Sequence, residues 1–285
     1  MDYTVLIPFI SYFLIIILIG IFSTRFSSRG ISEYFLGGRK MSMLVVALSA
    51  VVSGRSAWLL IGFTGQAYTM GASAIWAVVG YIFVEALLFL FYAPRLRKFS
   101  EKHDCITLPD FFAARFNDEK GHLRILLVII FLIFMVTYVA AQFVGGGKAF
   151  FANFGLNQHT GLIITAIIVL LYTLMGGFLA VSLTDVLQAF VMLIALIGLP
   201  LIALKNFSGI SEITFLLKNS SPSYFNPVAF GFGSMIGLLG IGLGSPGNPH
   251  ILVRYMSIRN PGQFKMTAIV GTTWNILLAL GAFSI

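Results

Sequence analysis

The chain has 285 residues, 58% of them apolar and only 10% charged, with a formal net charge of +8 and one cysteine. Soluble domains run at roughly 45–50% apolar and about 25% charged, so this composition and a mean hydropathy of +0.96 exclude a soluble, disordered or fibrous protein. A single cysteine excludes a disulfide framework and a thiolate metal cluster.

Crossing a bilayer core takes about 20 mostly apolar residues. Eight windows qualify: Thr4–Ser23, Met41–Met70, Ala72–Tyr92, Leu126–Val144, Gly161–Met175, Val186–Ala203, Val228–Gly244 and Met266–Ile285. The head Met1-Asp2-Tyr3 carries no basic region and no small-residue cleavage site comes after the window, so the first window reads as a retained helix. With the N-terminus outside, fourteen Lys and Arg fall in inner loops and three, Lys148, Lys205 and Lys218, in outer ones, leaving Arg55 within a span. Excess basic charge in inner loops predicts eight crossings from an outside N-terminus. The +8 is therefore a topology signal and calls for no nucleic acid.

Three windows carry interruptions. The second has Ser53-Gly54 in its middle, the fifth runs into Met175-Gly176-Gly177-Phe178, and the seventh ends in the stretch from Gly240 to Pro249. Such glycines permit close helix packing. They equally permit unwinding, which frees backbone carbonyls and is tolerated only where protein or a water-filled cavity lines the break. Discontinuous helices of this kind mark substrate and ion sites in secondary transporters.

Of the ionisable residues, only Glu85 and Arg55 lie well within spans. A central Arg costs about 2.5–3.5 kcal/mol on insertion scales and so faces a cavity or a partner. At about 1.5 Å per residue, Arg55 lies roughly 21 Å and Glu85 roughly 10 Å from the inner ends of their helices, so a pair requires both side chains to lean. Three readings stand side by side: Arg55 satisfied by freed carbonyls of its own broken helix, Arg55 paired with Glu85, or Arg55 anchoring an anionic solute group. Ser56 and Trp58 sit at the same break; hydroxyls beside an unwound turn are ligands for a hard cation, and serine is equally a helix-packing residue. The four histidines, His103, His122, His159 and His250, lack metal-ligand spacing. Gly145-Gly146-Gly147-Lys148 lacks the phosphate-loop spacing, and no nucleophile elbow occurs. An enzyme is not expected.

Four blocks then give a likeness. They are Leu36-Gly37-Gly38-Arg39 through Ala47-Leu48-Ser49-Ala50 to Ser56-Ala57-Trp58-Leu59-Leu60 and Gly62; Leu96-Arg97 with Thr107-Leu108-Pro109-Asp110-Phe111-Phe112; Gly176-Gly177-Phe178-Leu179-Ala180-Val181-Ser182 with Thr184-Asp185-Val186-Leu187-Gln188-Ala189; and Pro249-His250-Ile251-Leu252 with Arg254-Tyr255-Met256. In this order the chain resembles the sodium:solute symporter family, most closely its sodium/proline symporter branch.

The resemblance implies an all-α membrane protein with a five-plus-five inverted-repeat, broken-helix fold. Residues 1–40 would form an extra N-terminal helix and inner loop, 41–203 the first five-helix repeat, and 204–285 the start of a second. The chain would then be cut at about eight transmembrane helices, in keeping with its end inside an apolar run. It implies symport of a small organic solute, an amino acid such as proline or a carboxylate, coupled to Na+ across the cell membrane. A transporter-like sensor domain and an inactive symporter fragment are the rival readings. Solute-side residues carried over are Ser56, Trp58, Gly62 and Tyr138, with Arg55 beside them. Backbone carbonyls of Val52 and Arg55 carry over as sodium ligands. This branch usually has an acidic then an apolar residue at the break, where Gly54-Arg55 stand here, and the expected pocket aromatics map to Ile241 and Ser245. A fixed positive charge 4–6 Å from sodium would be repelled by roughly 2.8–4 kcal/mol at an effective dielectric near 20. Arg55 must then point away, be neutralised, or replace the ion.

Overall fold

The computed structural model describes residues 3–207 and 209–285; Met1, Asp2 and Ser208 lie outside the described residues. These residues form thirteen α-helices joined by tighter or wider helical turns, and their only β-pairing is an isolated bridge between Met41 and Ile258. The helices are α1 (Tyr3–Ser27), α2 (Ile31–Leu36), α3 (Met43–Ala57), α4 (Thr64–Met70), α5 (Ile75–Leu87), α6 (Ala93–Lys102), α7 (Leu108–Phe116), α8 (His122–Phe154), α9 (Gln158–Ala203), α10 (Ile210–Ser220), α11 (Gly231–Leu239), α12 (Pro249–Ser257) and α13 (Phe264–Phe283).

Five continuous helical runs among the described residues are long and apolar enough to cross a membrane: Tyr3–Ser27, Met43–Lys102, His122–Phe154, Gln158–Leu204 and Pro261–Phe283. The 60-residue run from Met43 holds the second and third windows and the 47-residue run from Gln158 the fifth and sixth, so these five runs account for seven of the eight windows. The remaining window, Val228–Gly244, forms α11 and a tight 3-10 segment, Gly240–Gly247. Large apolar side chains such as Leu14, Phe134 and Ile194 stay exposed, as they do where the solvent is lipid.

Two compact units divide the chain. The first comprises Met1–Val46, Arg95–Asp185 and Leu252–Pro261. Arg39 is its polar centre, donating through Nη1 to Ser100 Oγ at 3.0 Å and the Met256 carbonyl at 3.2 Å, and through Nη2 to the Ser100 and Cys105 carbonyls at 2.9 and 2.7 Å. Burial and the like charge of Arg97 hold the Arg39 guanidinium below its ordinary pKa. Arg97 donates through Nε to the Ile258 carbonyl at 2.8 Å, beside the bridge in which Met41 N–H donates to the Ser257 carbonyl at 3.1 Å. Buried Arg254 pairs with Asp185 at 2.8 Å and lies 6.0 Å from the Phe178 ring centroid. Thr107 and Asp110 cap α7 reciprocally, satisfying two of the amides that a helix start leaves free. α9 breaks at Gly177, where φ is 56° and ψ −149°, inside the predicted interruption.

The second unit comprises Ala47–Pro94, Val186–Ile251 and Gly262–Ile285. Leu48, Val52 and Ala189 are buried at its centre against Val186, Met192, Val270 and Trp274. The segment Gly240–Gly247 lies on α5 with backbones nearly touching: a Cβ on Gly80 would overlap the Leu239 carbonyl, and one on Gly242 the Gly80 carbonyl. Close packing, one of the two readings of these glycines, is what Gly80 and Gly242 show, and the helix here tightens into 3-10 turns. The connection before α11 is pinned to the middle of α4, to the turn that follows it and to the start of α5. Ser73 Oγ and Trp76 Nε1 donate to the Asn226 and Pro227 carbonyls at 3.0 and 2.8 Å, and Tyr224 Oη donates to the Ala67 carbonyl at 3.2 Å.

Candidate functional site

The predicted break in the second window occurs at Ser56, two residues beyond Gly54, where φ is 47° and ψ −163°. A non-glycine residue held at positive φ costs of order 1–3 kcal/mol and persists only where its surroundings fix it. Here the Ser56 hydroxyl accepts the Trp58 backbone N–H at 3.3 Å, replacing part of the lost helical ladder. The chain then continues through wide, π-type turns from Trp58 to Phe63 before α4 resumes. Wide turns of this type recur at functional positions.

Side chains from α5 complete the break. Tyr81 donates through its hydroxyl to the Gly54 carbonyl at 3.0 Å, and a Cβ on Gly54 would overlap that hydroxyl. The Trp58 indole stacks on the Tyr81 ring at 6.1 Å between centroids and 20° between planes, with Phe63 5.6 Å away on its own turn. A Cβ on Gly62 would lie 3.2 Å from Trp58 Cδ1, so this residue is small where the indole lies over it. Ser56 and Trp58 are half-buried and Gly62 is exposed.

Arg55 turns inward and is fully buried, as is Asn275, while Glu85 is 2% exposed. The Arg55 Nε and Nη2 atoms both donate to Asn275 Oδ1, and Asn275 Nδ2 donates to Glu85 Oε2. Arg55 Nη2 lies 4.0 Å from Glu85 Oε2, and its guanidinium carbon lies 3.9 Å from the Tyr81 ring centroid. Among the described residues, Arg55 Nη1 and Glu85 Oε1 have no hydrogen-bond partner. Of the three readings of Arg55, this is the pair with Glu85, reached through an amide from α13 that the sequence reading did not include. A polar amide amid the apolar run Met266–Ile285 was the available signal, since such residues join helices in membranes. Tyr81 carried a signal too: it is one helical turn before Glu85, on the same face of α5.

The other residues assigned from sequence are spread over both units. Val52 is buried in the centre of the second unit, Ser245 is buried there with a hydroxyl that has no partner among the described residues, and Ile241 is 39% exposed. Tyr138 lies on α8, half-buried, in the first unit.

A chain whose described residues are mostly helical, with apolar helices interrupted at Ser56, Gly177 and 240–247, has the build of a membrane transporter. The model of the sodium:solute symporter family matches residues 34–285, and the chain belongs to this family. Over 277 residues it is 39% identical to the sodium/proline symporters of Staphylococcus aureus strains JH9 and COL, covering 96% of this chain and 54% of theirs. The chain thus spans about half the length of the curated relatives it matches. It also superposes with a TM-score of 0.81 on a Na+-coupled sialic acid symporter solved in a substrate-bound outward-open state. That match is 22% identical and covers 96% of this chain and 57% of that one, a likeness of fold. The family is one of transporters, not enzymes, and the protein is integral to a membrane.

Proposed function

We propose that the protein carries out sodium-coupled symport of a small organic solute, an amino acid such as proline or a small carboxylate, across the cell membrane with its N-terminus outside. The observation that carries this reading is the break at Ser56, beside half-buried Ser56 and Trp58; a break of this kind turns backbone carbonyls away from the helical ladder. Sodium is a hard cation and takes oxygen ligands of this kind; the Val52 and Arg55 carbonyls are its proposed donors. The positive charge of Arg55 does not oppose that role, because Glu85 stands 4.0 Å from it as a counter-ion. Ser56, Trp58 and Gly62 form the proposed solute side, Arg55 holds the break from within through Asn275 and Glu85, and the assignment of Tyr138 rests on the family likeness. The sodium/proline symporter relatives favour an imino or amino acid. Rocking of residues 41–203, the proposed first repeat, against the second repeat would alternate access.

Uptake of labelled proline, other amino acids and small carboxylates by the full-length protein, in sodium and then in choline medium, tests this reading. Sodium-dependent uptake is expected, with each ligand raising the affinity for the other by the same factor. Uptake indifferent to sodium would remove the coupling ion from the proposal. Arg55→Lys should lower uptake at least about tenfold, since lysine cannot place two donors on Asn275 Oδ1 and a charge-assisted hydrogen bond contributes about 1.5–3 kcal/mol.

A further inference from the structure

Among the described residues, the groups that face the Arg55 guanidinium include an amide, a carboxylate and a π-face. Asn275 offers Oδ1, Glu85 offers a carboxylate whose Oε1 has no partner among the described residues, and the Tyr81 ring lies face-on at 3.9 Å. These groups come from α5 and α13, two helices of one unit, and all of them are buried. A buried cluster of a single carboxylate, an amide oxygen and an aromatic face suits a monovalent cation: its donors are hard, its charge is −1, and it is closed to bulk water. No other Asp, Glu, Lys or Arg occurs in residues 47–94, and the cation facing Glu85 is Arg55, 4.0 Å away.

We propose that Arg55 is a tethered cation occupying a cation pocket formed by Glu85, Asn275 and Tyr81. The pocket is distinct from the break carbonyls proposed for sodium, and in the native protein its permanent occupant is the guanidinium. Truncating the arginine vacates the pocket and converts it into a site for a free monovalent cation.

Thermal unfolding of the purified full-length protein tests this without any transport measurement, so its failure leaves the symport reading untouched. Native protein, Arg55→Ala and Arg55→Ala/Glu85→Gln are compared in sodium chloride, N-methylglucamine chloride and millimolar methylguanidinium. Arg55→Ala is expected to gain a midpoint shift in sodium or methylguanidinium clearly larger than that of the native protein, and the double variant to lose this gain. A folded Arg55→Ala that responds to neither cation more than the native protein overturns the proposal. Should Arg55→Ala fail to survive purification in N-methylglucamine, it is prepared in the other two media: recovery in either supports the tethered cation, and loss in both overturns it.

Discussion

Removing Arg55 or Glu85 alone leaves a buried charge without its counterpart, which costs about 3–5 kcal/mol where such pairs have been broken, and removing Asn275 strips both of the amide they share, at about 1–3 kcal/mol for each buried group left unpaired. Glu85→Gln and Asn275→Leu are therefore expected to lower the unfolding midpoint of the full-length protein sharply. Arg55→Met/Glu85→Gln, which removes both charges, should recover most of that loss; losses that simply add would show the two residues to be uncoupled. At this scale the sequence made Arg55 and Glu85 visible because charge is rare at membrane depth. Asn275 and Tyr81 carry weaker signals because neither is charged, and only the folded chain brings α13 and α5 to one point. Cys105 poses a simpler test. It is 2% exposed, and burial, with the Asp110 charge next, pushes its thiol up from the ordinary range. Because thiolate is the reacting form, maleimide should label Cys105 slowly at neutral pH in the folded protein and rapidly after denaturation; rapid labelling of folded protein would contradict its burial.

Along each element, the interruptions were the most readable feature, since glycine-rich stretches in apolar runs have few other uses. Gly177 and the 240–247 segment break where predicted. The third break falls at Ser56 and not at Ser53-Gly54, because Gly54 is needed for the approach of Tyr81 and the turn is made where a serine hydroxyl can accept the Trp58 amide. Sequence spacing gives no access to that division of labour between neighbouring residues. Ser56→Val should destabilise by roughly 1–3 kcal/mol, because a β-branched residue resists positive φ. Ser56→Gly suits the same backbone and should keep the protein folded while lowering uptake, as it removes the solute-side hydroxyl. Unfolding midpoints and uptake measured on both variants separate the two roles; equal uptake by Ser56→Gly and native protein would take Ser56 out of the solute side.

Over the whole molecule, the residues that made the family legible are mostly scaffold. Arg39 on the Met256 carbonyl, Arg97 on the Ile258 carbonyl and Arg254 between Asp185 and Phe178 all tie the first unit together, whereas the Arg55 cluster lies in the second. Buried arginines on backbone carbonyls tolerate little change, so they advertise a fold far more clearly than a substrate. The basic residues left outside that network carry a different message, the direction in which the chain enters the membrane. Lys218 on α10 and Lys120 before α8 are both exposed, and the proposed topology sets them on opposite sides of the bilayer. In a Cys105→Ser background, Lys218→Cys should react in intact cells with a membrane-impermeant maleimide. Lys120→Cys should react only after the cells are opened. The reverse pattern would invert the topology, and labelling of both residues in intact cells would mean that the fourteen-to-three division of basic charge does not set the orientation of this chain.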